Sequence, residues 1–288
     1  MQVLVTGAKG MLGNDLVKLA ELEGLEVIET DIEELDITDY ASVHNFIREE
    51  KPDIVINCAA YTQVDRAEQE REKAFLINAE GAKNIALVCK EFDVIMCHIS
   101  TDYVFDGEKR SPYLPEDKPN PINVYGASKY EGEKHLISIC DKYYIIRTSW
   151  LYGRKGNNFV YTILKLAKEK NELRVVSDQI GSPTWTGTLS EAIIKIIKNG
   201  EFGIYHVTDR TEMGISWYDF AREIVRLSNM NVQIIPIQTK DYPTAAKRPL
   251  YSVLDIGKAS RLMGDRMPFW QDSLRKFLHE VNFGEFNK

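Results

Sequence analysis

QVLVTGAKGMLGN, residues 2–14, is the stretch that decides the fold. Gln2 to Thr6 reads as a short buried strand. From Asn14 to Glu23, Leu16, Val17, Leu19 and Ala20 recur at helical spacing. Between them stand Gly7, Gly10 and Gly13. Glycines so spaced allow a tight turn, close backbone approach to a pyrophosphate and close helix–strand contact. The helix N-terminus behind them presents unpaired N–H groups to negative charge. A glycine pattern alone carries little weight. Flanked by strand and helix, it predicts a dinucleotide site contacted by Gly7, Gly10, Met11, Leu12 and Gly13.

The same alternation continues outward. Strands are expected at Leu25–Thr30, Asp53–Asn57, Val94–Ile99 and Tyr143–Arg147. Helices are expected at Asp39–Glu50, Lys73–Glu91 and Asn123–Cys140. This is the pattern of a Rossmann-like parallel sheet with helices on both faces, an α/β fold. Past Trp150 the reading gives helices at Asn157–Lys170, Thr186–Lys198 and Ser216–Ser228. Strands follow at Leu173–Val176, Gly203–Val207 and Val232–Ile237, with two short helices near the C-terminus. The expected organisation is a dinucleotide-binding domain over 1–155. A smaller, mainly substrate-binding subdomain over 156–288 returns some segments to the sheet.

Bulk properties narrow the function. The chain has 288 residues, 44% hydrophobic and 27% charged, and a formal net charge of −7. An acidic chain of this composition is neither disordered nor a general nucleic-acid binder. Cys58, Cys89, Cys97 and Cys140 form no CxxC pair and read as buried thiols. The five histidines, His44, His98, His135, His206 and His279, have no metal-ligand spacing, and His98 falls in a buried strand. No metal is expected. Met1 leads directly into a strand and no apolar run is long enough for a span, so a cytoplasmic protein without membrane contact is expected.

Asp31 ends the second expected strand, where an acid accepts hydrogen bonds from the adenine ribose hydroxyls. A 2′-phosphate meets like charge there, and the following Ile32-Glu33-Glu34 adds no cation, which favours NADH over NADPH. Asp36 either flanks the adenine or caps the next turn.

Tyr125 and Lys129 form YxxxK on an expected helix, and that spacing puts both on one face. A nearby ammonium lowers a tyrosine pKa and can hold the nicotinamide ribose. Thr101 closes the fourth expected strand at the edge where α/β proteins bind ligands. Thr101, Tyr125 and Lys129 are therefore the candidate catalytic residues of a ketone reduction. Thr101 and Tyr125 would stabilise the growing oxyanion, Tyr125 would donate the proton, and Tyr125 and Lys129 would also contact the cofactor.

With these motifs in order, the chain resembles an extended short-chain dehydrogenase/reductase. Within that superfamily it is similar to the dTDP-4-dehydrorhamnose reductases of bacterial rhamnose synthesis. TGAKGMLG opens the match at 6–13. NCAAYTQVDRAE follows at 57–68, STDYVFDG at 100–107, NVYGASKYEGE at 123–133, RTSWLYG at 147–153, DQIGSPT at 178–184 and KRPLYS at 247–252. The resemblance implies that Thr101, Tyr125 and Lys129 are the catalytic triad and that Ala59, Ala60 and Tyr61 lie along the cofactor. It places Val64, Asp65, Tyr103 and Trp150 at the sugar and Arg248 at the nucleotide diphosphate. A guanidinium suits that last task because it pairs bidentately with phosphate oxygens. Trp150 also admits a plain core reading.

The implied reaction is NAD(P)H-dependent reduction of the C4 ketone of dTDP-4-dehydro-β-L-rhamnose to dTDP-β-L-rhamnose. The alternatives are reduction of another 4-keto-deoxysugar nucleotide, an epimerase or dehydratase, and a non-catalytic dinucleotide-binding regulator. Dehydratases of this superfamily resemble a Thr-Asp-Glu pattern, where this chain has Thr101-Asp102-Tyr103. Some family members dimerise through a magnesium ion held by three acids. Here Asp15 and Glu280 match two of the places, while Gly187 stands at the third. A monomer or weak homodimer is therefore expected.

Overall fold

The computed structural model describes residues 1–281. Its first half alternates as the periodicity requires. In order come β1 (Gln2–Thr6), α1 (Met11–Leu22), β2 (Glu26–Thr30), α2 (Tyr40–Glu50), β3 (Ile54–Asn57), α3 (Val64–Ala67), α4 (Arg71–Phe75), α5 (Ala82–Glu91), β4 (Ile95–Thr101), α6 (Val124–Ile139) and β5 (Tyr143–Thr148). The second half carries β6 (Leu151–Tyr152), α7 (Phe159–Glu169), β7 (Glu172–Val176), β8 (Ile180–Gly181), β9 (Thr184–Trp185), α8 (Thr186–Asn199) and β10 (Gly203–His206). It ends with β11 (Ile215–Ser216), α9 (Trp217–Leu227), β12 (Gln233–Ile237), α10 (Gly257–Leu262) and α11 (Trp270–Glu280).

Six strands form one parallel sheet in the order β10-β5-β4-β3-β1-β2. The chain reverses direction across the sheet between β1 and β3, and a crevice opens there at the carboxyl ends. The central strands are apolar on both faces because both are covered. On one side Leu16, Val17 and Ala20 of α1 pack with Leu189, Ile193 and Ile196 of α8 and Ala259 of α10. On the other, Val43 and Ile47 of α2 pack with Ile85 and Cys89 of α5 and Leu136 of α6. A separate core of Tyr152, Leu164, Phe220, Ile224, Phe277 and Leu278 joins α7, α9 and α11 to the parallel pair β7–β12. The second half thus has its own core, while α8, β10 and α10 belong to the sheet layer.

Three local details depart from the periodic reading. Helix α1 begins at Met11, ahead of the first apolar repeat, because extended Gly10 starts the helical backbone directly behind the turn. The expected Lys73–Glu91 helix begins at Arg71 and contains a π-helical turn, Leu76–Gly81. The two-residue strands β6, β8, β9 and β11 are too short for any period to register. Among the described residues, no helix is long and apolar enough to cross a membrane.

Candidate active site

Gly7 has φ +67°, and a Cβ on it would lie 2.7 Å from the Ala59 nitrogen. Only glycine allows β1 to turn this tightly against the segment leaving β3. Helix α1 then follows Gly10 with no side-chain cap and no acid in its first turn. Its first amides, at Met11, Leu12 and Gly13, are left for an anion. This cradle fits a dinucleotide pyrophosphate.

The Cys58–Tyr61 segment is held along the crevice. Asn78, inside the π turn, accepts from Tyr61 N–H at 2.8 Å and donates to Tyr61 O at 3.0 Å. It also donates to Ser128 Oγ of α6 at 2.9 Å. The π turn thus aims one buried amide at two elements, a frequent use of such bulges at functional sites. Ala59 N–H donates to Asn57 Oδ1 at 3.2 Å, and Ala60 follows beside it, half-buried.

At the adenine end, Asp31 accepts from Lys9 N–H at 3.0 Å and Ile32 N–H at 2.9 Å. Lys9 reaches over from the glycine turn to the loop after Asp31. Its ammonium lies 3.1 Å from Glu33 and 2.8 Å from Glu34. One ammonium thus serves two carboxylates, so the corner beside Asp31 stays acidic, through a contact invisible in a reading confined to the loop. Asp36 accepts from Thr38 N–H at 2.9 Å and Thr38 Oγ1 at 2.7 Å, so its carboxylate closes its own turn.

Thr101, Tyr125 and Lys129 converge at the carboxyl edge. Asn123 caps α6, accepting from Gly126 N–H at 2.7 Å. A Cβ at Gly126 would lie 2.0 Å from the Tyr103 carbonyl oxygen, so glycine lets α6 seat directly on the Thr101–Tyr103 turn. Tyr125 lies beside Thr101, and burial pushes its hydroxyl up to about 12. The expected depression by Lys129 is not seen: that ammonium turns to the Ile99 carbonyl and lies 3.4 Å from His98 Nε2. Burial also pulls Lys129 down to about 8, against the opposing charge of Glu133.

Thr101 Oγ1 donates to Asp102 Oδ1 at 3.0 Å, rather than pointing its proton into the cleft. Asp102 is 2% exposed, its Oδ2 has no partner, and burial raises it to about 7. Below Lys129, buried Glu133 accepts from Arg147 Nε at 2.9 Å and Nη2 at 2.7 Å, and from Ser100 Oγ. This pair fastens α6 to β5.

Val64 begins α3, and next to it Asp65 takes Arg248 by both nitrogens, each at 2.6 Å. The guanidinium edge assigned to phosphate is thus engaged by a carboxylate that sequence reading placed independently at the sugar. Tyr103 lies edge-on to Tyr125 at 5.9 Å, with the Arg248 guanidinium nearby. Trp150 has φ +46° and stacks on Trp217 at 3.5 Å, so one face of its ring belongs to the second core. Such backbone strain in a non-glycine residue clusters at ligand sites.

The sequence reading missed Asn57, Asn78, His98 and Trp217 as parts of this region. A buried polar side chain inside an apolar strand was the available signal for the first and third. At the suspected metal positions, Asp15 accepts from Thr186 Oγ1, and Arg154 pairs with Glu280 at 2.7 Å. A Cβ on Gly187 would lie 2.6 Å from the Trp185 ring, which leaves little room for an acid. No cluster of three metal-ligating side chains occurs among the described residues.

Relatives match this chain over nearly its whole length. The RmlD substrate binding domain model matches residues 1–283. The chain belongs to the dTDP-4-dehydrorhamnose reductase family. It is 45% identical to a spore coat polysaccharide biosynthesis protein of Bacillus subtilis, covering 97% of both chains. It is 43% identical to a dTDP-4-dehydrorhamnose reductase of Aggregatibacter actinomycetemcomitans, over 95% of this chain and 97% of that one. The crystal structure of the Bacillus anthracis dTDP-4-dehydrorhamnose reductase in complex with NADP superposes with a TM-score of 0.93. That protein is 43% identical, over 97% of this chain and 99% of its own.

Proposed function

We propose that this member of the family reduces the C4 ketone of dTDP-4-dehydro-β-L-rhamnose to dTDP-β-L-rhamnose, using NADH or NADPH. The observation that carries this reading is Thr101, Tyr125 and Lys129 at one sheet edge beside the glycine cradle, in a chain 43% identical to a named reductase.

The bound nicotinamide dinucleotide supplies the hydride. Gly7, Gly10, Met11, Leu12 and Gly13 hold its pyrophosphate, with Asp31 and Asp36 toward the adenosine and Ala59, Ala60 and Tyr61 along its length. Asp31, held by the Lys9 and Ile32 amides, faces the adenine ribose hydroxyls. Tyr125, kept protonated by burial, donates its proton to the ketone oxygen as charge develops there. Thr101 stands beside the Tyr125 hydroxyl, and Lys129, one turn further along α6, returns a proton to the tyrosinate left behind. Val64, Asp65, Tyr103 and Trp150 shape the sugar site, and Arg248 exchanges Asp65 for the substrate diphosphate.

A panel of 4-keto nucleotide sugars tests this, with NAD(P)H oxidation followed optically and products identified by NMR. One cofactor oxidised per sugar with an L-rhamno product supports the proposal. An L-talo product moves the chain to a neighbouring reductase. Sugar conversion without net cofactor oxidation defeats reduction altogether, and no turnover with cofactor bound favours a regulatory protein.

A further inference from the structure

Behind the reacting groups, buried side chains connect β1 to Lys129. Thr6 Oγ1 donates to Asn57 Oδ1 at 2.7 Å, and the Ala59 N–H donates to the same oxygen at 3.2 Å. A backbone N–H can only donate, so the orientation of the Asn57 amide is determined. Its oxygen faces Ala59 and its nitrogen faces His98. Asn57 Nδ2 lies 3.1 Å from His98 Nδ1. An amide nitrogen also only donates, so Nδ1 accepts, and a neutral imidazole then carries its proton on Nε2. His98 is 0% exposed, and its charged form is disfavoured by burial and then by Lys129.

The Nε2 edge faces Lys129 Nζ at 3.4 Å. An ammonium has three N–H donors and no lone pair, so an Nε2–H directed at it is repulsive. A neutral amine turns its lone pair to that N–H and gains a hydrogen bond. The Ile99 carbonyl accepts from Nζ in either state. The contrast is His206, whose Nδ1 lies 3.0 Å from the Tyr113 carbonyl, leaving Nε2 to accept from Arg147 at 3.4 Å. The two buried histidines are thus held in opposite tautomers, each by its Nδ1 partner.

We propose that His98 is a positioning residue: locked by Asn57 as its Nε2–H tautomer, it biases Lys129 toward the neutral amine and sets the pH at which the Tyr125–Lys129 pair exchanges its proton. This rests on the reading that the pair serves a ketone reduction. The groups facing Lys129 are His98 from β4, Cys58 from the segment after β3 and Glu133 from its own helix, with Tyr125 one turn earlier on that helix. Glu133 is committed to Arg147 and Ser100, and Asn57 is the polar group on the far side of His98. His98 is therefore the group whose ring N–H is set against the ammonium.

Two measurements test it on the full chain. Long-range ¹⁵N–¹H NMR of the wild type, with and without NADP⁺, reads the tautomer directly. A proton on Nε2 and a bare Nδ1 support the proposal, and the reverse overturns it, whatever the variants do. His98→Phe keeps a ring and removes the N–H. The basic limb of its kcat–pH profile is expected to move up by about one unit, the equivalent of one ordinary hydrogen bond. An unmoved limb overturns the role. If the wild type reduces no 4-keto nucleotide sugar, the catalytic reading fails while the tautomer remains measurable. An Nδ1–H tautomer in an active enzyme overturns only the role of His98.

Discussion

Gly126→Ala tests how closely α6 must approach the Thr101 turn. The added Cβ would lie 2.0 Å from the Tyr103 carbonyl oxygen and 2.8 Å from its carbon. An ordinary close C···O contact is about 3.3 Å, so helix and turn must separate by about 1.3 Å. Neither contacting atom belongs to a flexible side chain, so the backbone has to move. The separation falls between Tyr125 on the helix and Thr101 on the turn, the two hydroxyls proposed to meet one ketone oxygen. A 1 Å misplacement of reacting groups costs about 10²-fold in rate. Overpacking adds about 1–3 kcal/mol of destabilisation, which lowers Tm by about 2–10 °C. Steady-state kinetics on the 4-keto sugar, calorimetry and NADPH fluorescence titration separate these effects. The expected result is kcat reduced by about 10²-fold with cofactor affinity nearly retained, because the glycine cradle lies on a different loop. Wild-type kcat and Tm together would refute the inferred close approach.

Tyr125→Phe removes the proton donor and should cut kcat by about 10²–10⁴-fold, with little change in NADPH binding by fluorescence. Arg147→Met strands buried Glu133 and should cost about 3–5 kcal/mol in urea unfolding. The double change Arg147→Met with Glu133→Leu should recover most of that loss, and a double variant as unstable as the single would refute the pairing. Arg248→Ala should raise KM for the sugar nucleotide at least about tenfold while kcat falls less, since it removes a charge-assisted diphosphate contact. An unchanged KM would take Arg248 out of the substrate site. Asp209, fully buried, is raised by burial to about 7, against an ordinary value of 3.8. The folded protein therefore binds more protons than the unfolded chain between those values, and this group's contribution to stability falls as pH rises through that window. Relative to wild type, Asp209→Asn should fare better at pH 7 than at pH 4, by about 1.4 kcal/mol per pH unit across the window. A pH-independent difference would show that the acid is not raised.

The glycine turn, the strand–helix alternation and the YxxxK pair were legible from the sequence because each is a local pattern. A turn of φ +67° demands glycine, a covered parallel strand demands an apolar run, and a four-residue spacing shares a helix face. What surrounds those groups was decided by long-range contacts. Lys9 meets the loop after Asp31, Arg248 turns to Asp65, and Trp150 stacks on Trp217 only because separate segments fold together. The protonation behaviour of Tyr125 and Lys129 was not readable either. Spacing places an ammonium near a phenol, but burial and the direction of Nζ toward Ile99 and His98 decide which group holds its proton. Local sequence sets backbone conformation and the period of apolar burial. Solvation and hydrogen-bond partners depend on residues distant in the chain, so the electrostatics of the site exist only in the folded structure.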